Sequence, residues 1–439
     1  MPMGDGFAAL PEHLLCEVLS CVGNVKDLFM LAVTCRRWLR RFTDPAFLRG
    51  LCPAEGEGHA ARLLGFLLQK KTTEQDSSAL APAFLPAPGS PLGATTSVIA
   101  NDDGAFNGAK PLAARRGIVL MMQLGPRTSE RTASLLLSLC NPVTGGRRHA
   151  LPPLEWSCGR DGSSYDIMHG CAIITAADSD VGRDHGKQPQ PPSGRFTFSQ
   201  LLLIGQHAGE LYLHSYSAAT RSWSMPVLCQ DTHHARISPV GYRDHDARSA
   251  VLHRGAAHWL CIDNTGGDYS LYKLSVKAGT TRVSLAKLPV RGGGKPFLCV
   301  SGEGKLAVVS GYMSHVTVWT QQGGGEGDDG TPAAWPRTAA FVIQAVAPHP
   351  YRPLCSYEWF HFGRGAMLLV HRTGTVFILD LENKVMEKVM DCPLLPLYDG
   401  KNLIKQTPVA YGVDLVDFFV VQLGGLCRGP RRYYLRSRR

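Results

Sequence analysis

Apolar residues near the start of the chain recur at the spacing of one helix face. Between Leu10 and Val22 they are separated by steps of one, three or four positions, as in an amphipathic α-helix. Asp27 is expected to cap a second short helix and Thr34 a third. Three short helices in about 40 residues cannot bury such wide apolar faces among themselves. The pattern therefore predicts that this module packs on another surface, either its own chain or a partner.

From about Val98 onward the pattern changes to short apolar runs separated by Gly, Asp, Asn or His. Typical runs are Gly117–Leu124, Ala256–Ile262 and Ala366–His371. Runs of this length between turn-forming residues indicate β-strands. No long amphipathic helix interrupts them, which argues against alternating βαβ units. The chain is predicted to be mainly β with a small N-terminal α module.

The spacing of these runs indicates a repeat. Candidate first strands of a repeated unit begin near five positions: Asp166, Ser249, Phe297, Tyr357 and Pro408. When the polar insertions at 178–194 and 323–330 are discounted, the period is about 50 residues, which with four strands per unit is typical of a β-propeller. We expect about six blades. The alternative all-β fold is a two-sheet sandwich, but the β region of over 300 residues is large for that fold.

The last repeated unit, after Pro408, is two strands short. Earlier in the chain, Leu63–Leu68 and the run at Phe84–Leu85 lie outside the repeat and have the composition of buried strands. We expect these two segments to complete the last blade and close the ring.

The N-terminal residues contain three short elements in a fixed order: Leu10-Pro11-x-x-Leu14-Leu15-x-x-Val18-Leu19, Val25-x-Asp27-Leu28 and Thr34-Cys35-Arg36-Arg37-Trp38. Together these elements resemble an F-box over about residues 7–50. The resemblance implies binding to the Skp adaptor, and through it to a cullin, in a Skp–cullin–F-box ubiquitin ligase. The implied contact residues are Leu10, Pro11, Leu14, Leu15, Val18, Leu28, Cys35 and Trp38. Some of them, Trp38 especially, are alternatively expected to hold the three helices together.

The β region contains the segment Cys-Asn-Pro-Val-Thr-Gly with Leu-Pro-Pro, at 140–153. With this segment, the region resembles the propeller-type F-box-associated domains that are common in plant F-box proteins. The resemblance implies a substrate receptor whose target is an unknown protein. The insertions at 178–194 and 323–330 are candidate target-binding loops by expected exposure. The domain boundaries are predicted as 7–52 for the F-box, 60–425 for the propeller and 428–439 for a basic tail.

No pattern of an enzyme active site is found. The densest cluster of possible metal ligands is Asp231, His233, His234, Asp244, His245 and Asp246, and its spacing matches no standard zinc motif. Phosphate-binding and dinucleotide-binding glycine motifs are absent. The 13 cysteines are irregularly spaced, and Cys140 and Cys261 are expected to be small core residues. We expect no catalytic, cofactor-binding or metal-binding residues.

The net charge of +10 is concentrated in the C-terminal tail. Residues 428–439 contribute six of these charges, from Arg428, Arg431, Arg432, Arg436, Arg438 and Arg439. Such a tail can bind nucleic acid, direct nuclear import or only solvate a terminus. Nucleic acid is the weakest of these alternatives. With no membrane span and no disulfide framework, the expected location is the nucleus, the cytoplasm or both.

These expectations combine into one function with two alternatives. The chain is predicted to be a non-catalytic substrate-recognition adaptor, in which the F-box docks the ligase and the propeller binds the target for ubiquitination. The alternatives are a propeller enzyme or carbohydrate- or ligand-binding protein with a coincidental helical hairpin, and a nucleic-acid binder that uses the Arg tail.

Overall fold

A computed structural model describes most of the regular structure of the chain. The described residues are 11–20, 25–44, 46–48, 62–68, 81–88, 104–129, 132–142, 148–157, 168–179, 198–207, 210–229, 237–239, 248–263, 270–290, 295–322, 334–343, 357–363, 365–371, 374–391, 408–413 and 419.

The chain begins with three short helices, α1 (Glu12–Ser20), α2 (Val25–Thr34) and α3 (Arg36–Arg41). Two predicted caps are wrong. Asp27 lies inside the first turn of α2, where a carboxylate favours the positive end of the helix dipole. Thr34 ends α2 and donates its hydroxyl to the Leu31 carbonyl at 2.7 Å, while the N-cap of α3 is Cys35, without a side-chain cap.

The strands form six separate sheets, which we number as blades 1 to 6. Blade 6 joins both ends of the β region and consists of β1 (Arg62–Leu68), β2 (Ala83–Pro86) and β27 (Val409–Val413). Blade 1 consists of β3 (Lys110–Arg115), β4 (Ile118–Ser129), β5 (Thr132–Cys140), β6 (His149–Ala150) and β7 (Leu154–Ser157).

Blades 2 and 3 follow in chain order and are linked by a parallel strand pair. Blade 2 consists of β8 (Met168–Thr175), β9 (Phe198–His207), β10 (Glu210–Ser217), β11 (Ser222–Trp223) and β12 (Val227–Leu228), with helix α4 (Ala176–Ser179) after β8. Blade 3 consists of β13 (Ile237–Pro239), β15 (Val251–His253), β16 (Ala256–Asp263), β17 (Ser270–Lys277) and β18 (Val283–Leu288). The short strand β14 (Arg248–Ser249) lies between β13 and β15 in the chain and pairs in parallel with β8 of blade 2.

Blades 4 and 5 are regular four-stranded antiparallel sheets. Blade 4 consists of β19 (Lys295–Val300), β20 (Leu306–Tyr312), β21 (His315–Thr320) and β22 (Arg337–Val342). Blade 5 consists of β23 (Tyr357–His361), β24 (Ala366–His371), β25 (Thr375–Asp380) and β26 (Val385–Asp391). The predicted first strands near Phe297 and Tyr357 therefore lie within two residues of the observed ones.

Neighbouring blades bury apolar side chains against each other all the way around. The central strand β24 is buried on both faces: Leu368 and Val370 pack toward blade 6, while Met367 and Leu369 pack toward blade 4. The same division occurs at every junction, so that six apolar clusters join the six blades in a ring. Burial on both faces explains why the strands appear as apolar runs rather than alternating patterns. The β region is a six-bladed β-propeller.

The ring is closed by strands from opposite ends of the chain. β1 pairs with β27 on one side and with β2 on the other, both antiparallel. The expected completion of the last blade by Leu63–Leu68 and Phe84–Leu85 is therefore confirmed. A bulge at Gly65 resets the strand, so that Leu64 and Leu67 face blade 1 while Phe66 and Leu68 face blade 5.

The helices share one apolar cluster with the closing junction. Leu15, Leu28 and Phe42 belong to the same cluster as Val119 of blade 1 and Tyr411 of blade 6. The N-terminal module is thus packed on its own propeller, which was one of the two expected surfaces. Within the described residues, no helix is both long and apolar enough to cross a membrane.

Candidate functional site

The first helix has one buried and one exposed apolar face. Leu15 and Leu19 are 5% and 2% exposed and pack into the shared cluster. Leu14 and Val18 are 38% and 42% exposed, and Pro11 one turn earlier is also exposed. Positions 11, 14 and 18 follow one helix face. We call Pro11, Leu14 and Val18 the exposed face of α1.

The other predicted Skp contacts fall into different environments. Leu15 and Leu28 are buried inside the chain, Cys35 is exposed and Trp38 is half-buried. Leu10 lies outside the described residues. The ring of Trp38 is 6.1 Å from that of Phe42, so Trp38 also supports the packing of the helices. Contact with a Skp protein through this set stays a prediction.

A residue near the chain's end completes the core of the helical module. Phe419 is fully buried, and its ring centroid lies 5.3 Å from that of Phe42 and 6.2 Å from that of Phe29. Phe47 packs edge-on against Phe42 at 5.6 Å. Aromatic pairs at these separations stabilise a fold by about 0.5–1.5 kcal/mol beyond the burial of their area. The module is therefore held by side chains from both ends of the sequence.

The propeller encloses a central channel lined by strands of all six blades. Its cavity of about 310 Å³ has mostly apolar walls, including Trp259, Phe297 and Trp359. The polar groups in the lining include Arg115, Glu358 and His361. A mainly apolar cavity with a few polar groups is typical of ligand-binding sites.

One end of this channel is built by the turns that follow the innermost strands, which we call the inner turns. The side chain of Arg115, before the first turn, contacts Asp178 in the second. A Cβ placed on Gly255 in the third would lie 3.1 Å from the Asp178 carbonyl oxygen. His253 Nε2 lies 2.8 Å from the carbonyl oxygen of Gly304 in the fourth. The inner turns thus touch one another in sequence.

The next contact connects blades 4 and 5. The backbone N–H of Gly365 donates to the Val300 carbonyl at 2.8 Å. Both Gly304 and Gly365 have positive φ angles, +74° and +72°, which favour glycine in these turns. These contacts join the inner turns of blades 1 to 5 into a rim at this end of the channel.

Asp178 is the centre of a buried ion-pair cluster at this rim. Arg115 donates to both of its carboxylate oxygens, at 2.5 and 2.8 Å, and Arg116 lies 3.8 Å away. The N–H and hydroxyl of Thr175 also donate to the carboxylate, each at 2.9 Å. Burial alone would raise the pKa of Asp178, but these donors and the two guanidinium charges hold the pKa below its usual value.

This cluster corrects one expectation about the insertion at 178–194. Asp178 was expected to be exposed at its start, whereas it is 7% exposed and sits inside the ion-pair cluster. The reason is that two arginines and Thr175 replace the water that the carboxylate would lose. The remainder of that insertion from residue 180, and the insertion at 323–330, lie outside the described residues.

His361 is a titratable residue in the lining of the channel. Desolvation is the main reason why its pKa is lowered to about 4. The positive charge of Arg115 lowers the pKa of His361 further. His361 is therefore neutral at pH 7, close to a guanidinium group.

Other candidate residues are placed as follows. The predicted cluster at 231–246 and all six arginines of the tail lie outside the described residues. Cys140 and Cys261 are buried, as expected, and burial raises the pKa of Cys140 to about 12. In the part of the chain that the structure describes, no group of three or more His, Cys, Asp or Glu is placed to hold a metal ion.

The rim residues were missed at the sequence level. Arg115 and Arg116 precede Gly117 at the end of a strand, which indicates only a turn. Nothing in the sequence connects that turn with Asp178, because the pairing depends on the blades being neighbours. The only sequence signal for these residues is the repeat: a period of about 50 residues predicts where the inner turns fall, and charged residues at those positions are candidates for contacts between blades.

Comparison with known proteins identifies the helical module. Residues 7–53 match the family model described as F-box-like. A search of the curated proteins finds no match to the chain.

Several solved structures resemble the fold at low identity. TolB from Acinetobacter baumannii has 10% identity and a TM-score of 0.38, covering 84% of this chain and 69% of that chain. A nidogen/laminin complex has 11% identity and a TM-score of 0.35, covering 73% and 91%. An α-L-arabinofuranosidase from Fusarium graminearum has 11% identity and a TM-score of 0.36, covering 80% and 88%. These likenesses are too distant to bear on function, and the architecture rests on the strand pairing. The chain therefore carries an F-box-like domain at its N-terminus, followed by a six-bladed β-propeller.

Proposed function

We propose that this protein is a substrate-recognition adaptor of a Skp–cullin–F-box ubiquitin ligase. The F-box-like match at 7–53 is the observation that carries the proposal. F-box domains generally bind Skp adaptors, and α1 leaves Leu14 and Val18 exposed although Leu15 and Leu19 of the same helix are packed in the cluster shared with the propeller. The cullin would be reached through Skp.

The adaptor would act by proximity rather than by chemistry of its own. The propeller would hold a target protein while the F-box holds the ligase, which raises the effective concentration of the target near the charged ubiquitin carrier. Transfer of ubiquitin would be performed by other subunits. A propeller enzyme is not better supported, and the distant likeness to a glycosidase does not favour one.

The test is co-purification of a Skp protein with the full chain. Leu14→Ala with Val18→Ala should reduce the recovered Skp at least tenfold, because both side chains are exposed on one helix face. The matched control is Met225→Ala, which removes an apolar side chain that is 83% exposed on blade 2. Thermal unfolding should be unchanged for all variants. Undiminished Skp recovery by both the double variant and Leu10→Ala with Pro11→Ala would refute the proposal.

Nuclear entry through the Arg tail is proposed as a second property. Residues 428–439 fused to a reporter should move it into the nucleus, and a reporter that stays in the cytoplasm would contradict this.

A further inference from the structure

The third helix carries four arginines in six residues. α3 has the sequence Arg-Arg-Trp-Leu-Arg-Arg, with no acidic residue in its first turn. Arg36, Arg37 and Arg40 are exposed, whereas Trp38 is half-buried and Leu39 is buried. The helix therefore has one face that packs into the module and one face that carries positive charge at the surface.

Two of the four arginines already have a place inside the chain. The guanidinium of Arg41 lies 5.6 Å from the centre of the Phe47 ring, which holds it against the core of the module. Arg37 is engaged with a neighbouring group of the chain. The arginines that a partner can use are therefore Arg36 and Arg40.

These two arginines lie one turn apart on the exposed face of α3, and we call them the arginine pair. Residues four positions apart in an α-helix have Cβ atoms about 5–6 Å from each other, so both guanidinium groups reach the same short acidic segment of a partner. Among the residues that the structure describes, no carboxylate forms an ion pair with Arg36 or Arg40. Both guanidinium groups are thus close together and available.

The arginine pair does not serve the stability of its own helix. Arg36 is in the first turn, where a cation meets the positive end of the helix dipole, and the N-cap Cys35 supplies no side-chain hydrogen bond. Arg40 suits the last turn, but two like charges four positions apart repel each other. Negative charge from a partner would relieve this repulsion.

The positive charge belongs to α3 and not to the module as a whole. Residues 7–61 contain six basic and six acidic side chains, and four of the basic ones but none of the acidic ones are in α3. The acidic residue nearest in sequence, Asp44, accepts a hydrogen bond from the Ala46 N–H. Residues 49–61 lie outside the described part of the chain and add two glutamates and one arginine. Residues 36–61 therefore keep a surplus, with five arginines against three carboxylates.

We propose that the arginine pair binds an acidic segment of the Skp adaptor and accelerates its association through charge attraction. This inference rests on the proposed function, since it names the chemistry of the adaptor surface that meets α3. Cys35 and Trp38 belong to the same helix and are among the predicted Skp contacts, so an adaptor that reaches them also comes within reach of the pair. Opposite charges at the edge of an interface mainly raise the association rate, and salt weakens their effect.

A protein surface fits these features better than a nucleic acid. Nucleic-acid binding needs a row of cations that follows many phosphates. α3 is only about 9 Å long and offers two available guanidinium groups, which match one or two carboxylates. The exposed face of α1, in the same module, is apolar and suits a protein rather than a phosphate backbone.

The test measures association of the full chain with a purified Skp protein by stopped-flow fluorescence. In about 0.05 M NaCl, Arg36→Glu with Arg40→Glu should lower the association rate constant about tenfold and change the dissociation rate constant less than about threefold. In about 0.5 M NaCl the difference in association should shrink to less than about twofold, because salt screens the charges.

Two further variants make the result specific. Arg221→Glu with Arg282→Glu is the matched control, since it changes the charge by the same amount at two exposed arginines in outer turns of blades 2 and 3. It should change association less than about twofold. Arg36→Gln with Arg40→Gln removes the charges without reversing them and should give a smaller loss in the same direction. It keeps the test valid if the Glu variant lowers the melting temperature.

The outcomes separate this inference from the proposed function. Unchanged association of both α3 variants at low salt, or an equal loss in the propeller variant, would overturn the inference alone, because Skp still binds. A loss that persists in about 0.5 M NaCl would also overturn it, since charge attraction is screened there. A wild-type chain that does not bind Skp at either salt concentration would refute the proposed function and this inference with it.

Discussion

The ring of Phe419 lies 5.3 Å from the ring of Phe42, so a residue from the end of the chain is part of the core of the N-terminal module. Phe42 is fully buried, and Phe419 is one of the aromatic rings that surround it. The F-box-like domain is therefore attached to the propeller by packing, in addition to the connecting chain.

Removing this ring should destabilise the helical module. Phe419→Ala leaves a cavity beside Phe29 and Phe42, and replacement of a buried Phe by Ala costs about 3–5 kcal/mol. We expect hydrogen exchange of the α2 and α3 amides to accelerate more than that of blades 3 and 4. Met225→Ala, which changes an exposed residue, should leave exchange unaltered. Equal protection of α2 in wild type and Phe419→Ala would contradict the packing.

The closing strand depends on the absence of a side chain at Gly65. An added Cβ would collide with the Leu85 carbonyl oxygen and lie 2.7 Å from the Phe84 ring. Gly65→Ala should therefore cost about 3 kcal/mol, measured by denaturant unfolding of the propeller. Gly279→Ala is the control, since its Cβ would enter open space and only its φ of +76° is unfavourable, at about 1 kcal/mol. Similar losses in the two variants would contradict the closure.

The ion-pair cluster at the rim should make stability depend on pH in the acidic range. Because the pKa of Asp178 is lowered in the folded protein, its contribution is present above the unfolded pKa of about 3.9 and is lost as the pH falls through the folded value. Asp178→Asn should cost about 2 kcal/mol at pH 7, below the range for fully buried pairs because both arginines are partly exposed.

Urea unfolding at several pH values checks this expectation. The difference between wild type and Asp178→Asn should be constant from pH 7 to 5 and shrink below about pH 4. Asp391→Asn, which changes an exposed carboxylate paired with Lys388, should behave like wild type. A difference that persists unchanged at pH 3 would show that the carboxylate charge is not what stabilises the rim.

His258 should also make stability fall on acidification, but in a pH range that begins nearer neutrality. Its ring is buried, Nδ1 lies 2.8 Å from the Ser275 hydroxyl, and desolvation, followed by the charge of Lys273, lowers its pKa to about 3. Between about pH 6.5 and 3 the unfolded chain has this histidine protonated while the folded chain keeps it neutral. The free energy of unfolding therefore decreases by about 1.4 kcal/mol for each unit by which the pH is lowered in this range. His258→Gln should remove this part of the slope between pH 6 and 4. If the free energy of unfolding has the same pH dependence in wild type and His258→Gln, burial of neutral His258 does not contribute to the slope.

Much of the architecture was predictable because propeller strands are buried on both faces. Apolar runs such as Ala366–His371 and glycine-containing turns such as 302–305 mark strands and hairpins by composition alone. The closing pair β1–β27 was predictable by counting strands. The last repeated unit was two strands short, and two strand-like segments near the start of the β region belonged to no other unit. The helix caps were not, because Val25 and Lys26 extend α2 upstream of Asp27 without any special residue.

The candidate site was predictable only in part. The spacing of Leu14 and Val18 shows that they share a face, but it cannot show that Leu15 faces the propeller and they do not. The rim was hidden because Arg115 and Asp178 belong to different repeats, and their contact depends on the order of blades in the ring. Residue type alone does not identify the rim, because arginines such as Arg221 also occur in turns that do not line the channel.

The place of Phe419 in the core has a consequence for biosynthesis. A nascent chain that has emerged from the ribosome only as far as blade 5 already contains α1, α2 and α3, yet it contains neither β27 nor Phe419. Ring closure and completion of the helical core therefore both wait until β27 and Phe419 have been synthesised. A copy terminated before Val409 would keep all three helices and five complete blades, but its ring would stay open and its helical core incomplete.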